Sequence, residues 1–401
     1  MLPDGLVLRT ACPADLDQIG ALLADRGDPA DAIDLKLVVE DPDAGWSSCA
    51  VVVDGDRVVS TATLLDETLV LDGTPIPTGQ VELVATDRAY EGRGLVRALM
   101  AWAHERSAAR GHLAQVMLGI PYFYRQFGYA YAMPINPTLP LVTPPPEVPG
   151  SAPDSGGGPH EVRRATAADI PAMARLQAGA QAGAGLRMTH SDACWRWLVA
   201  RDGTSEWIVE RAGVPVATGR TTPPDEGTVL GEIAAVDEAA VYALVRGTAA
   251  ESIVTRPGTF VDALTTYLGD DQAHLDEYYA RVPDVVALLE HLRPVLGARL
   301  RASEYAGDEG EAVVSFFRSH VRIPYAHGDV GPIRPGGTMQ APGVAGGAGV
   351  APDRVAPLLF GPHGLSGLSR LEADVYPGPN SGLMYTLFPP VRSDLLTFYL
   401  P

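Results

Sequence analysis

The chain has 401 residues, room for roughly two to four domains, and its 46% apolar content supports sizeable buried cores. A formal net charge of -19 argues against a nucleic-acid partner and suits either a cationic substrate or simple solubility. No stretch reads as a membrane span, and the N-terminus MLPDGLVLRT lacks a basic region followed by an apolar core, so a cytoplasmic location is expected.

The first element, Leu8–Leu22, reads as a strand, a capped turn and an amphipathic helix. A strand pair follows over 48–60, turning on Asp54-Gly55. The run 80–86 is strand-like, and Gly92-Arg93-Gly94 separates it from a helix whose apolar stripe is Leu95, Ala98, Leu99 and Trp102. A strand at 115–118 and a short aromatic helix ending in Phe127-Gly128-Tyr129 come next.

Residues 141–160 are too rich in Pro, Gly and Ser to pack and read as a linker. Beyond it the start of the chain is echoed: five of fifteen positions are identical when 8–22 is laid over 162–176, and a second strand pair turns on Ala212-Gly213. Duplication is the preferred reading. The second copy has no glycine turn over Glu232–Tyr242, so it is expected to keep the fold and lose the turn's chemistry. After Arg281 a helical stripe (Val285, Leu288, Leu289, Leu292, Leu296), a Gly/Pro-rich stretch and the strand-like run 384–388 suggest a small mixed domain.

A glycine turn before a helix has a physical use. Helix-start N–H groups lack partners and attract anions, and glycine lets that backbone approach a phosphate. Tight turns need glycine too, so the turn alone is weak evidence. Its context, Val84-Ala85-Thr86, then Gly92-Arg93-Gly94-Leu95, then Phe123-Tyr124 and Phe127-Gly128-Tyr129, resembles the GNAT N-acetyltransferases, and the whole chain looks like their Eis-like subgroup. The resemblance implies an α/β (α+β) fold. Two GNAT-type mixed-sheet domains, 1–140 and a degenerate 161–280, would be followed by a sterol-carrier-protein-like domain, 281–401. It implies acetyl-CoA as co-substrate, an amine acceptor and a homo-oligomer, with a hexamer as one form.

On that resemblance Glu91, Gly92, Arg93, Gly94, Leu95, Val96 and Arg97 cradle the CoA pyrophosphate. Val84, Ala85 and Thr86 line the pantetheine arm, and Gly119 and Ile120 are also expected to bind the cofactor. Glu91 departs from the pattern, because a carboxylate beside a pyrophosphate repels it unless it turns outward. Tyr124 stands at the position of the general acid that protonates the leaving sulfur; otherwise it is an aromatic core residue like Tyr122, Phe123 and Phe127. The subgroup's base or ammonium anchor is the C-terminal carboxylate, here Pro401, and the apolar terminal run Leu395–Pro401 fits either that role or a final packed strand. Glu82 is a rival base, with surface exposure its blander explanation. Nine histidines and three cysteines (Cys12, Cys49, Cys194) are scattered without ligand spacing; no metal is expected, and the cysteines read as free thiols. Two alternatives stay open: a longer acyl-CoA donor, and a non-catalytic acyl-CoA or ligand-binding protein, which Glu91 favours.

Overall fold

The computed structural model describes residues 2, 5–147, 159–201, 205–222, 227–270 and 276–396. Pro401 and most of the 141–160 linker therefore lie outside the described residues.

The first part of the chain forms strands β1 (Leu6–Thr10), β2 (Cys49–Asp54), β3 (Arg57–Leu71), β4 (Thr74–Thr86), β5 (Ala114–Met117), β6 (Ala130–Pro134) and β7 (Thr138–Pro140). Its helices are α1 (Leu16–Arg26), α2 (Ala30–Glu40) and α3 (Leu95–Ala109). The second part gives β8 (His160–Arg164), β9 (Leu186–Met188), β10 (Ser205–Arg211), β11 (Val214–Thr221), β12 (Val229–Ala235), β13 (Ser252–Val254) and β14 (Glu277–Arg281). Between them lie α4 (Ile170–Ala180), α5 (Asp192–Ala200) and α6 (Glu238–Thr248). The third part contributes α7 (Val285–His291), α8 (Arg293–Arg301), α9 (Val355–Phe360), α10 (Gly364–Leu371) and α11 (Ser381–Leu387). Its strands are β15 (Glu309–Ser315), β16 (His320–Ala326), β17 (Asp329–Val330), β18 (Arg334–Gly336), β19 (Ala348–Val350), β20 (Val375–Tyr376) and β21 (Ser393–Leu395).

These strands make three mixed sheets, so the fold is α/β as expected. The first runs β1-β2-β3-β4-β5-β14-β6, with β9 on β3 and β21 on β9. The second runs β7-β13-β12-β11-β10-β8, and the third β17-β16-β15-β19-β20 with β18 on β16. Strands cross between chain segments. β7 leaves the first segment for the second sheet, while β14, β9 and β21 return to the first. Cores are shared as well. Leu65 of β3 packs with Trp195, Trp197 and Cys194 of α5, and Leu69, Leu71 and Ile76 belong to the same cluster as Leu288, Leu296 and Phe360.

The internal repeat is carried by local physics. Arg9 holds Asp15 through two hydrogen bonds of 2.6 and 2.8 Å, and Arg163 holds Asp169 through two of 2.9 and 2.8 Å. Each aspartate also closes a capping box at the helix entry, with Cys12 or Thr166. Both sheets then carry a bulge at the same place. The register slips between Thr61 and Thr63 opposite Leu83 (φ +52°), and between Thr218 and Arg220 opposite Glu232 (φ +50°).

Two expectations are corrected. Residues 384–388 do not form a strand; they lie in and just after α11, because Leu383, Met384 and Leu387 form one buried face against α8 and α10. Burial of that face outweighs the β-preference of Tyr385, Thr386 and Phe388. Tyr122 is not core: it is 73% exposed, in the left-handed conformation that starts the 123–127 turn. The 285–296 stripe is helical, buried at Leu288, Leu289, Leu292 and Leu296 and half-buried at Val285, and is divided into α7 and α8 near Pro294.

Candidate active site

The site begins where β4 and β5 part. They pair in parallel only from Thr78–Ala114 to Gln80–Val116. The Leu83 bulge turns β4 away, and from Val81 on its β5-facing backbone is unpaired. Parallel strands that diverge at their C-terminal ends leave a crevice for a ligand.

One side of that crevice is the glycine turn. Gly92 (φ +74°) and Gly94 (φ +80°) occupy the left-handed region that a side chain disfavours, and a Cβ on either would project into open space. The constraint is therefore on the backbone, which must curl to present α3. No side chain caps α3, so its first-turn N–H groups face the crevice without a carboxylate in the way. Cations surround this end. The Arg93 guanidinium lies 4.6 Å from the Tyr90 ring centre, and Arg97 donates to Gln126 at 3.2 Å. Glu91, the departure from the family pattern, turns aside and accepts a 2.5 Å ion pair from Arg26 of α1. That neutralises the carboxylate beside the anion site.

The cleft so formed has a volume of about 560 Å³. Val84, Ala85, Thr86, Glu91, Gly92, Gly94, Leu95, Val96, Arg97, Ile120 and Tyr124 all line it. Arg93 and Gly119 sit beside it without lining it. Arg26, Tyr90 and Gln126 are lining residues that sequence reasoning missed, and Phe123 and Phe127, expected in the core, line it too.

Tyr124 is buried, with 5% exposed, and is seated by three neighbours. Phe123 meets it edge-on at 5.1 Å, and Tyr279 of β14 does so at 5.9 Å. Gly119 supplies the space: a Cβ there would stand 2.4 Å from Cε2 of Tyr124. Tyr279 is itself fixed by donating to the Tyr131 hydroxyl at 2.8 Å. Burial, with the nearby Glu82 charge second, pushes the Tyr124 phenol up to about 12, so it holds its proton at neutral pH.

A smaller pocket of about 280 Å³ opens from the same strand and shares Arg26, Val84 and Ala85 with the larger cleft. Glu82, Asp31 and Gly119 line it. Glu82 is buried, with 6% exposed, which overturns the surface explanation. It accepts from the Gln80 amide at 2.5 Å. Burial raises its carboxyl to about 8 against that hydrogen bond, with Asp31, Glu67 and Asp34 adding repulsion. Burial also lifts Asp31, and it takes Glu67, on the neighbouring strand, to about 8. Two carboxyls, Glu82 and Asp31, thus line the pocket with one cation, Arg26, which is engaged by Glu91, so an ammonium group would find carboxyl partners there. Among the described residues no group of three or more His, Cys, Asp or Glu side chains is placed to hold a metal. No helix among them is long and apolar enough to cross a membrane.

The second sheet lacks such a cradle. The start of α6 is capped by Asp237, whose carboxylate accepts from the Ala240 N–H at 2.9 Å and pairs with Arg211 at 2.8 Å. The chain's own anion stands where a ligand's phosphate would need to be.

Residues 35–132, which span the first sheet's crevice, match the acetyltransferase (GNAT) domain family. The chain thus carries a GNAT acetyltransferase domain and is a GNAT-type enzyme. Its fold along the whole length is similar to that of Eis1 from Mycobacterium abscessus, at 16% identity and a TM-score of 0.61 over 97% of this chain and 99% of that one. A GCN5-related N-acetyltransferase from Kribbella flavida is similar at 18% identity and a TM-score of 0.65, covering 98% of both chains. Another, from Anabaena variabilis, is similar at 16% identity and 0.65, covering 96% of this chain and 97% of that one. No curated protein matches the sequence.

Proposed function

We propose that the protein transfers an acetyl group from acetyl-CoA to an amine of a cationic small molecule, aminoglycoside-like or another natural-product amine. The observation that carries this reading is the junction at Val84–Ala85, where an anion-ready cleft and an acidic pocket share a wall. The α3 N-terminus and Gly92–Gly94 would hold the pyrophosphate, and the unpaired edge of β4 the pantetheine arm.

The residues then divide the proton transfers. A free alkyl ammonium has a pKa near ~10.4 and must lose a proton before it can attack. Glu82 takes that proton when ionised, directly or through water. The amine nitrogen attacks the thioester carbonyl, the C–N bond forms, and the C–S bond breaks. Tyr124 donates its phenolic proton to the departing sulfur and regains one from the nitrogen, which sheds its extra proton as it becomes the amide. General acid and base roles of this kind contribute roughly 10²–10⁴-fold each, and alignment across the junction supplies much of the rest. The Pro401 carboxylate is the other candidate base, proposed on the resemblance alone.

Residues 1–140 would house this chemistry, 161–280 the degenerate copy, and 281–401 the sterol-carrier-like part, within a homo-oligomer. The non-catalytic alternative rested on Glu91, and the Arg26 ion pair removes its motive.

The deciding experiment is calorimetric titration with acetyl-CoA and longer acyl-CoAs, followed by an amine screen. Micromolar binding that weakens with acyl length, together with acetylation of cationic amines, supports the reading. Absence of binding to any of them would sink it.

A further inference from the structure

The second sheet repeats the parting of strands that opens the catalytic cleft. β12 pairs with β13 only at Val229–Ser252 and Leu230–Ile253, and its Glu232 bulge turns it away beyond that point. Here the gap holds a side chain of the protein. Arg256, 5% exposed, donates to the Ile233 carbonyl at 2.8 Å, in the stretch of β12 past its last pairing with β13. It also donates to Gln177 Oε1 at 2.7 Å. Its remaining donors form a bidentate pair with Asp394 of β21, at 2.7 and 2.9 Å. Gln181 grips the same residue from the other side, donating to the Asp394 carbonyl at 2.8 Å.

Asp394 belongs to the strand that the third part of the chain lends to the catalytic sheet. β21 runs parallel to β9, and β9 is antiparallel to β3, so β21 proceeds along β3 from Leu71 toward Leu69. The Leu396 N–H donates to the Met188 carbonyl at 2.9 Å and extends that contact. Leu395 and Leu396 then line a cavity of about 70 Å³ together with Glu232 and Leu118. Leu118 also lines the Glu82 pocket. The strand held by Arg256 is therefore one residue away from the proposed acceptor site.

We propose that the Arg256–Asp394 clamp is a positioning device for the acceptor: the emptied cleft of the second copy grips the C-terminal strand and sets the inner wall of the amine pocket. The inference rests on the acetyltransferase reading above. Arg256 and Asp394 touch no reacting atom in it; they act through Leu395, Leu396 and Leu118. A buried charge pair contributes little net stability against an apolar substitute, whereas it fixes geometry when both partners are fully hydrogen-bonded. Lysine cannot reproduce the bidentate fork, so Arg256→Lys is expected to restore only part of the effect.

The test uses full-length protein, kanamycin and spermidine as probe amines, and three variants: Arg256→Met, Arg256→Lys and Asp394→Asn. Hydrogen exchange over 393–396 should quicken about tenfold in Arg256→Met and Asp394→Asn. In the same variants kcat/KM for the amine should fall roughly 10–100-fold, chiefly through the amine's KM, because a small misplacement of a pocket wall is costly. Acetyl-CoA affinity should stay within about twofold, since neither Arg256 nor Asp394 lines the cradle's cleft. A freed strand with unchanged amine kinetics overturns the proposal, and so does unchanged exchange in both variants. Loss of acetyl-CoA affinity in step with the amine KM also overturns it, as a global effect. Wild-type protein that binds acetyl-CoA but acetylates neither probe counts against the acetyltransferase reading instead, and the exchange measurement still decides whether the clamp holds the strand.

Discussion

The backbone of Gly119 lies so close to the Tyr124 ring that a Cβ would stand 2.4 Å from Cε2 and 2.9 Å from Cδ2. Gly119 lies just past the end of β5, the strand that parts from β4, so the divergence that opens the cleft also seats the phenol. Gly119→Ala should displace that ring and lower kcat by about tenfold or more, through misplacement of the acid. Acetyl-CoA affinity, read by calorimetry, should change little. Wild-type turnover in the alanine variant would show that the ring's seat does not matter.

Tyr124→Phe removes the proton donor and keeps the ring. Turnover should fall roughly 10²–10⁴-fold, the usual worth of a positioned general acid. Binding of acetyl-CoA should survive nearly intact. Equal losses in kcat and in affinity would assign Tyr124 to packing rather than to proton transfer.

Arg26 and Glu91 make a coupled prediction. Arg26→Ala leaves the Glu91 carboxylate unpaired beside the anion site, and acetyl-CoA affinity should drop about tenfold through repulsion. Glu91→Ala should leave affinity unchanged or raise it. The double variant should recover most of what Arg26→Ala loses. A double variant as weak as Arg26→Ala would mean that Arg26 binds the ligand itself.

The pH dependence follows from Glu82. A carboxyl raised to about 8 is mostly protonated at neutral pH, so its fraction in the base form grows as pH passes 8. Acetylation should rise to a plateau above that point, and Glu82→Gln should abolish the step in the kcat profile. A step that persists in Glu82→Gln would transfer the base role elsewhere.

Stability should move the other way. Glu67, Glu82 and Glu206 are each raised to about 8, with burial the first cause. Between the ordinary carboxyl pKa near ~4.3 and that value the folded protein binds more protons than the unfolded chain, so stability falls as pH rises through this window. Asp15, held to about 2 chiefly by its hydrogen bonds from Arg9, acts oppositely and loses its contribution as the medium becomes strongly acidic. Thermal unfolding should therefore show a maximum near pH ~4 and a decline toward pH ~8. Glu82→Gln should flatten that decline, and an unchanged slope would contradict the burial of an ionisable Glu82.

Much of this protein was legible along the chain, because local rules wrote it there. The capping aspartates, the hairpin glycines and the i, i+3, i+4 stripe of α3 act over a few residues, so the duplication and the strand–turn–helix motif appear in sequence. Spacing even marks the second copy as lacking a cradle, since no glycine stands between Glu232 and Tyr242. Long-range pairings decided the rest. Nothing near Glu82 announces that it is buried; that follows from α1 packing on β4, which brings Leu23 and Asp31 into the pocket that Glu82 lines. Arg26 reaches Glu91 across 65 positions, Tyr279 arrives beside Tyr124 by insertion of β14 into the first sheet, and Arg256 meets Asp394 across 138. Pairings of that reach carry no periodicity and no local signature. They exist only once the sheets have assembled, which is why the sequence gives away the anion cradle and the tertiary structure alone builds the acidic pocket beside it.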